Sequence, residues 1–335
     1  MSDAAPLALT IGEPASIAGE ITLRAWAAAQ TDKSIAPFVA LADGDWLKAQ
    51  GQQLRFPVPI KTVTAADSAA GEFYGALPVL PVELASAPEL GRPDPANATA
   101  VLRSIDEAVR LTRLGATSAV VTNPIHKATM YAGGFRFPGH TEYLAELCTP
   151  ASAVMMLVIE GLRVVPVTVH LPLAKAVAMV SGDAIVSAAR ATHDALVRDF
   201  AIAHPRLAVA ALNPHAGEGG ALGHEETDII APAIAKLQAQ GINASGPYPA
   251  DTLFHARARE RYDAVLCMYH DQALIPLKTL DFAGGVNVTL GLPIVRTSPD
   301  HGTALDIAGQ GKADPTSLIA ALRLASEMAR KRAQG

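Results

Sequence analysis

Short apolar runs alternate with segments of helical periodicity along this chain. Leu7–Ile11, Phe38–Ala42, Ser118–Thr122, Val164–Val169, Leu207–Leu212 and Ala264–Met268 have the length and β-branched content of buried strands. Ala96–Leu114, Ala184–Phe200, Glu225–Gln240 and Pro315–Arg332 place apolar residues at i, i+3 and i+4, the spacing of a helix with one buried face. Strands alternating with helices predict an α/β fold with a largely parallel central sheet. Met155–Val158 and Val164–Val167 flank a turn containing Glu160 to Arg163, so one antiparallel hairpin is expected in that sheet. Ala85–Pro95, rich in proline and polar residues, reads as a surface loop. No internal repeat or low-complexity linker marks a boundary.

Composition narrows the functional classes. The 335 residues are 50% hydrophobic and 18% charged, enough apolar content for two lobes. A net charge of −5, with no basic run beyond Arg330-Lys331-Arg332, argues against nucleic-acid binding. An anionic substrate would therefore depend on a few local cations. Apolar stretches are interrupted well short of the roughly 18 residues that span a bilayer, so no membrane partner is expected. No amino-terminal export signal is recognised, and the cytoplasm is the expected compartment. Cys148 and Cys267, outside any CxxC pair and in apolar surroundings, are expected to be buried thiols.

Three apolar runs end in histidine. His170 closes Val-Val-Pro-Val-Thr-Val, His215 follows Leu-Ala-Val-Ala-Ala-Leu-Asn-Pro, and His270 follows Ala-Val-Leu-Cys-Met-Tyr. In α/β sheets the carboxyl ends of strands are where ligands bind. Three imidazoles with an open coordination position suit a catalytic divalent metal. A single histidine at a strand end more often caps a turn, and the repetition is what points to a metal. The Gly-rich stretch Asn213–Gly220 ahead of a helix suits an anion. Asp271, beside His270, suits acid–base work or the capping of the next helix.

The segment Asp300–Pro315 resembles the adenosine-binding loop of isopropylmalate and isocitrate dehydrogenases, which reads HGTAPxxAGxxxxNP. The resemblance implies an isocitrate/isopropylmalate-dehydrogenase-like fold in two lobes. It implies cofactor contacts from His301, Gly302, Thr303, Asp306, Ile307 and Asp314. A carboxylate at Asp306 would accept bonds from ribose hydroxyls and repel a 2′-phosphate, favouring NAD over NADP. Asp314 stands where those enzymes carry asparagine.

Further stretches widen the resemblance. Gly139-His140-Thr141-Glu142, Leu212–Gly220, Pro249–Thr252, Met268–Gln272, Gly285–Pro293 and Arg296–Ala304 together resemble the 4-phosphohydroxy-L-threonine (4-hydroxythreonine-4-phosphate) dehydrogenase family of pyridoxine and pyridoxal phosphate biosynthesis. That resemblance, running from Leu9 to about Ala325, implies metal ligands at His170, His215 and His270, holding one zinc, magnesium or cobalt ion. It implies substrate contacts from His140, Thr141, Lys278, Asn287 and Arg296. Asp251 and Asp271 are the candidate bases. It implies a homodimer whose active site borrows a metal ligand across the interface. The expected reaction is NAD-dependent oxidation and decarboxylation to 3-amino-2-oxopropyl phosphate. The alternative is a sibling acting on threonate or erythronate 4-phosphate, or on an aromatic dihydrodiol carboxylate. The expected lobes are 1–125 with 295–335, carrying the NAD loop, and 126–294, carrying the metal and dimer contacts.

Two stretches depart from the family pattern. Its opening GDPAGIGPE is here Gly12–Glu20, with Ser16 and Ala18 in place of glycines. An arginine common before the Gly-Val-Asn stretch is absent from Phe282-Ala283-Gly284-Gly285.

Overall fold

A computed structural model describes residues 5–149 and 152–334. They fall into two compact units: the described residues of Met1–Ala151 and Leu292–Arg330, and those of Ser152–Gly291 and Lys331–Gly335. Residues 126–149 thus group with the first unit, whereas the sequence boundary at 125/126 assigns them to the second lobe.

The first unit contains β1 (Leu7–Thr10), β2 (Phe38–Ala42), β3 (Ile60–Thr62), β4 (Leu77–Pro81) and β5 (Val120–Val121). The second contains β6 (Val154–Ile159), β7 (Leu162–Pro166), β8 (Arg206–Ala210), β9 (Asn243–Tyr248), β10 (Ala264–Cys267) and β11 (Val286–Leu290), and β12 (Arg296–Pro299) belongs again to the first. The order β3-β4-β2-β1-β5-β12 in the first unit is parallel throughout. Its central strands are buried along their whole length, as strands covered on both faces must be.

In the second unit the order is β11-β6-β7-β10-β8-β9. β6 pairs antiparallel with β7 across the Glu160-Gly161 turn, the expected hairpin, and also with β11. β7, β10, β8 and β9 are mutually parallel. Their core is aliphatic, with Leu157, Val164, Val265 and Leu277 no more than 0% exposed. The expected α/β fold with a largely parallel sheet is therefore the observed one. Its three histidine-bearing strands, β7, β10 and β8, are neighbours whose carboxyl ends share one edge.

The long helices lie close to their expected places, at Ala98–Arg113, Gly182–Arg198 and Thr316–Arg332. The expected helix 225–240 instead opens with a π-helical turn, Glu226–Ile230, before regular helix over Ala231–Gln238. Cys148 and Cys267 are buried and free, and burial raises both thiol pKa values. Among the described residues no helix is long and apolar enough to cross a membrane.

Candidate functional site

In the second unit, side-chain hydrogen bonds lace the three adjacent strand ends together. Thr168, just past β7, donates its hydroxyl to the Met268 carbonyl past β10 at 2.8 Å. Gln272, buried in the helix His270–Leu280, accepts the Met268 N–H at 2.6 Å and donates to the Ala211 carbonyl past β8 at 2.7 Å. Each bond satisfies a backbone group at a place where the sheet ladder has ended.

This scaffold carries the histidines. The His170 and His270 rings face one another, centroids 5.8 Å apart and tilted by 45°. Two imidazoles sharing a tetrahedral ion at metal–nitrogen distances of about 2.0–2.1 Å need a centroid separation of this order. They line a cavity of about 200 Å³ with Thr168, Leu171, Tyr269 and Asp271. His270 Nδ1 lies 2.7 Å from Asp271 Oδ1. A carboxylate accepting from Nδ1 leaves Nε2 to bind a metal, the usual orienting partner of a histidine ligand. Tyr269 occupies the N-cap position, so Asp271 does not cap the helix.

His215 does not join them. It is exposed on a loop in which His215, Ala216, Gly217, Glu218 and Gly219 all have positive φ, from 46° to 78°. Among the described residues no group of three His, Cys, Asp or Glu side chains converges as a metal site within the chain. The donor set suits a divalent ion, while one chain brings only two of the expected three imidazoles face to face. The anion expected at the Asn213–Gly220 loop is supplied by the protein: Glu226, 3% exposed, accepts the N–H groups of Leu212 and Asn213 at 2.8 and 2.7 Å. Asp251 is exposed on the turn Ala250–Thr252 that follows β9, on the same edge of the parallel strands.

Of the expected substrate residues, Lys278 and Asn287 belong to this unit. Lys278, in the last turn of its helix, sits 5.5 Å from the Phe282 ring centroid. Asn287 on β11 leaves its buried Oδ1 without a hydrogen-bond partner. Such a group costs free energy until a ligand or water satisfies it.

His140, Thr141 and Arg296 belong to the first unit. Arg296, on β12, is 3% exposed, and its Nη2 donates to Thr122 Oγ1 at 2.5 Å. Burial lowers its pKa to about 10, so it still carries its charge at neutral pH. His140 opens the helix His140–Leu147, and its Nε2 is buried without a partner. Burial, then the charges of Arg296 and Lys127, hold its pKa well below the ordinary value. The pair thus offers a buried cation and a neutral imidazole.

Sequence reasoning missed Lys127 and Asn123 near this position. Asn123 is buried, donates to the Thr10 carbonyl and the Thr22 hydroxyl at 2.9 Å each, and leaves Oδ1 unpartnered. Thr122-Asn123-Pro124-Ile125-His126-Lys127 directly follows β5, the same strand-end signal that singled out the histidines.

The loop Asp300–Asp314 also belongs to the first unit. Ala304 is left-handed, and a short 3₁₀ turn, Leu305–Ile307, presents Asp306 to solvent. His301 Nδ1 meets the Gly302 carbonyl at 3.0 Å and leaves Nε2 buried without a partner. No atom lies within 4 Å of where a Gly302 side chain would begin, leaving room for a ligand against the backbone. Asp314 is already engaged. Its Oδ1 accepts the Thr316 N–H and hydroxyl at 2.9 and 2.6 Å, which hold its pKa low. Glu20, 2% exposed, accepts the Ala313 N–H at 3.2 Å, and Arg24 donates to the Gly311 carbonyl at 2.9 Å.

The chain resembles known proteins over nearly its whole length. Residues 33–325 match the family described as pyridoxal phosphate biosynthetic protein PdxA. The chain is 54% identical over 333 residues to the 4-hydroxythreonine-4-phosphate dehydrogenase of Caulobacter vibrioides, covering 98% of each. It is 52% identical to the enzyme of that name from Maricaulis maris, covering 99% of this chain and 100% of the other. The crystal structure of the Klebsiella pneumoniae enzyme of that name superposes with a TM-score of 0.89 at 35% identity, covering 97% of this chain and 99% of that one. A terephthalate 1,2-cis-dihydrodiol dehydrogenase from Burkholderia xenovorans is 30% identical with a TM-score of 0.65, covering 96% and 98%. A full-length likeness above 50% identity, with the matched region spanning both units, places this chain in the PdxA family of pyridoxal phosphate biosynthetic proteins.

Proposed function

We propose that this protein is an NAD-dependent 4-hydroxythreonine-4-phosphate dehydrogenase of pyridoxal phosphate biosynthesis, working in the cytoplasm as a homodimer. The reaction converts 4-phosphohydroxy-L-threonine and NAD to 3-amino-2-oxopropyl phosphate, CO₂ and NADH. The carrying observation is the 54% identity over 98% of the chain to an enzyme named for that substrate.

His170, His215 and His270 would hold the divalent ion, with one of the three positions supplied by the second copy of the chain. When bound, that ion supplies Lewis acidity at the substrate hydroxyl, and NAD supplies the hydride acceptor. Arg296 offers two parallel N–H bonds to a phosphate or carboxylate oxygen pair. His140, kept neutral, donates a single bond without adding charge. Asn287 turns its buried Oδ1 to a substrate N–H or O–H. Lys278 adds a mobile charge and Thr141 a hydroxyl. Asp271 holds the His270 ring, which leaves Asp251 as the proton acceptor of the two candidate carboxylates. Asp306 takes the ribose hydroxyls, and His301, Gly302, Thr303 and Ile307 line the nucleotide. Asp314 shapes the loop through Thr316 rather than meeting the adenine.

A second reading keeps the chemistry and changes the substrate to an aromatic dihydrodiol carboxylate. It is favoured by the missing arginine at Phe282–Gly285 and by the likeness to the Burkholderia xenovorans enzyme. An assay of NADH formation on 4-phosphohydroxy-L-threonine, threonate and erythronate 4-phosphates, and a cis-dihydrodiol carboxylate decides between them. A kcat/KM on the dihydrodiol above that on the phosphorylated hydroxythreonine overturns the first reading.

A further inference from the structure

We infer that Glu226 is a positioning residue for His215, holding its backbone in the conformation that presents the imidazole. The inference rests on the metal-site reading above. Five consecutive residues from His215 to Gly219 lie in the left-handed region, and three of them, His215, Ala216 and Glu218, are not glycine. L-residues avoid runs of this kind because the β-carbon crowds the following carbonyl. At its far end the loop is closed by bonds that include Ala221 N–H to the Glu218 carbonyl at 3.3 Å and Leu222 N–H to the Gly217 carbonyl at 3.1 Å. Strained backbone persists where its surroundings over-determine it, and such places cluster at functional sites.

Glu226 supplies the determination. One carboxylate oxygen accepts the N–H groups of Leu212 and Asn213, and the other accepts Asn213 Nδ2 at 2.9 Å. These donors sit just before the left-handed run and so fix the direction in which the chain enters it. On the other side of the carboxylate, a β-carbon on Gly217 would come within 2.6 Å of Glu226 Oε2. The carboxylate therefore fills the inside of the turn and leaves room only for glycine there. Glu226 opens the π-helical turn Glu226–Ile230, and such turns are rare and frequent at functional sites. All three donors face one carboxylate, so a glutamine at this position must turn its amide N–H₂ toward at least one of them.

The test measures cobalt(II) binding to the metal-stripped full-length protein, by visible absorption and by competition with a chelator, alongside thermal melting. Loss of an outer partner of a metal ligand typically weakens affinity 10–100-fold, and a loss of about that size is expected for Glu226→Gln. Leu237→Ala, a core substitution in the same unit, is the stability control and should retain the wild-type cobalt affinity despite a lower melting temperature. His215→Ala is the reference for the ligand itself. Wild-type affinity in Glu226→Gln, with binding lost in His215→Ala, overturns the positioning role and leaves the metal reading intact. Wild-type affinity in His215→Ala removes the metal reading and the inference with it. Equal weakening by Leu237→Ala reduces Glu226 to a general structural residue and overturns the inference. Should Glu226→Gln fail to fold, Gly217→Ala strains the same turn from its other side. The same 10–100-fold loss is then expected, and unchanged affinity overturns the proposal.

Discussion

Arg296 is 3% exposed, and in the proposed reaction its guanidinium would meet the phosphate of the substrate. Each charge-assisted bond to that phosphate would be worth about 1.5–3 kcal/mol. Arg296→Ala should therefore lower kcat/KM on the phosphorylated substrate roughly 10²-fold or more, and Arg296→Lys should recover only part of it because the ammonium lacks the fork. The unphosphorylated hydroxy acid should be a poor substrate whose turnover barely responds to Arg296→Ala. Equal proportional losses on both compounds would assign Arg296 to the carboxylate instead. His140 makes a pH-dependent prediction. Burial, followed by the charges of Arg296 and Lys127, lowers its folded-state pKa, so the unfolded chain binds its proton first as pH falls. Its contribution to stability is therefore full above the ordinary histidine pKa near 6.5 and declines as pH drops below it toward the depressed value. Melting temperatures recorded from pH 7.5 to 5.5 should fall less steeply in His140→Asn than in the wild type; parallel curves would contradict the assignment.

At the scale of elements, the C-terminal loop depends on a helix distant in sequence. Glu20 and Arg24, one turn apart on the helix Ala18–Thr31, are paired at 3.0 Å and hold Ala313 and Gly311 respectively. Releasing one charge-assisted bond of about 1.5 kcal/mol should weaken binding roughly tenfold. Glu20→Ala is expected to raise the KM for NAD about that much with little change in kcat, the signature of lost uniform binding. A kcat effect alone, with KM constant, would place Glu20 outside cofactor binding. On the same loop, Asp306→Lys should move preference toward NADP by replacing a repulsive charge with an attractive one. Equal kcat/KM for NAD and NADP in the wild type would show that Asp306 does not select the cofactor.

At the scale of the whole molecule, two helices of the second unit and the segment after one of them carry exposed apolar side chains. Leu173 and Met179 are 60% and 61% exposed on the helix Leu173–Met179, Ile275 is 63% exposed on the helix His270–Leu280, and Phe282 beyond it is 80% exposed. The homodimer proposed above would bury this apolar surface. Both helices adjoin the cavity lined by His170 and His270, so a second copy seated there would reach the proposed metal ligands. Phe282→Asp combined with Ile275→Asp should convert a dimer to a monomer in sedimentation analysis and abolish turnover while leaving the fold intact. A monomeric wild type, or a monomeric variant with full activity, would refute the shared site.

Periodicity was enough to read the α/β class, the hairpin, the long helices and the three histidines on strand ends, because each depends on residues close in sequence. The stretch around Asp306, being one continuous segment, was likewise open to comparison by sequence alone. Other features stayed hidden because their cause lies far along the chain. β4, Leu77–Pro81, contains Pro78 and ends in Pro81, which disguise a strand, and pairing with β2 and β3 makes it one. Asn123 and Lys127 gain meaning from Thr10, Thr22, His140 and Arg296, none of them sequence neighbours. The Asn213–Gly220 stretch reads locally as an open anion loop, yet a carboxylate thirteen residues beyond Asn213 already fills it. Local patterning thus determined which elements form and which residues stand at the end of each. Tertiary packing decided which polar groups are already satisfied, and so which remain to meet a ligand, because a hydrogen bond depends on position in space and not on distance along the chain.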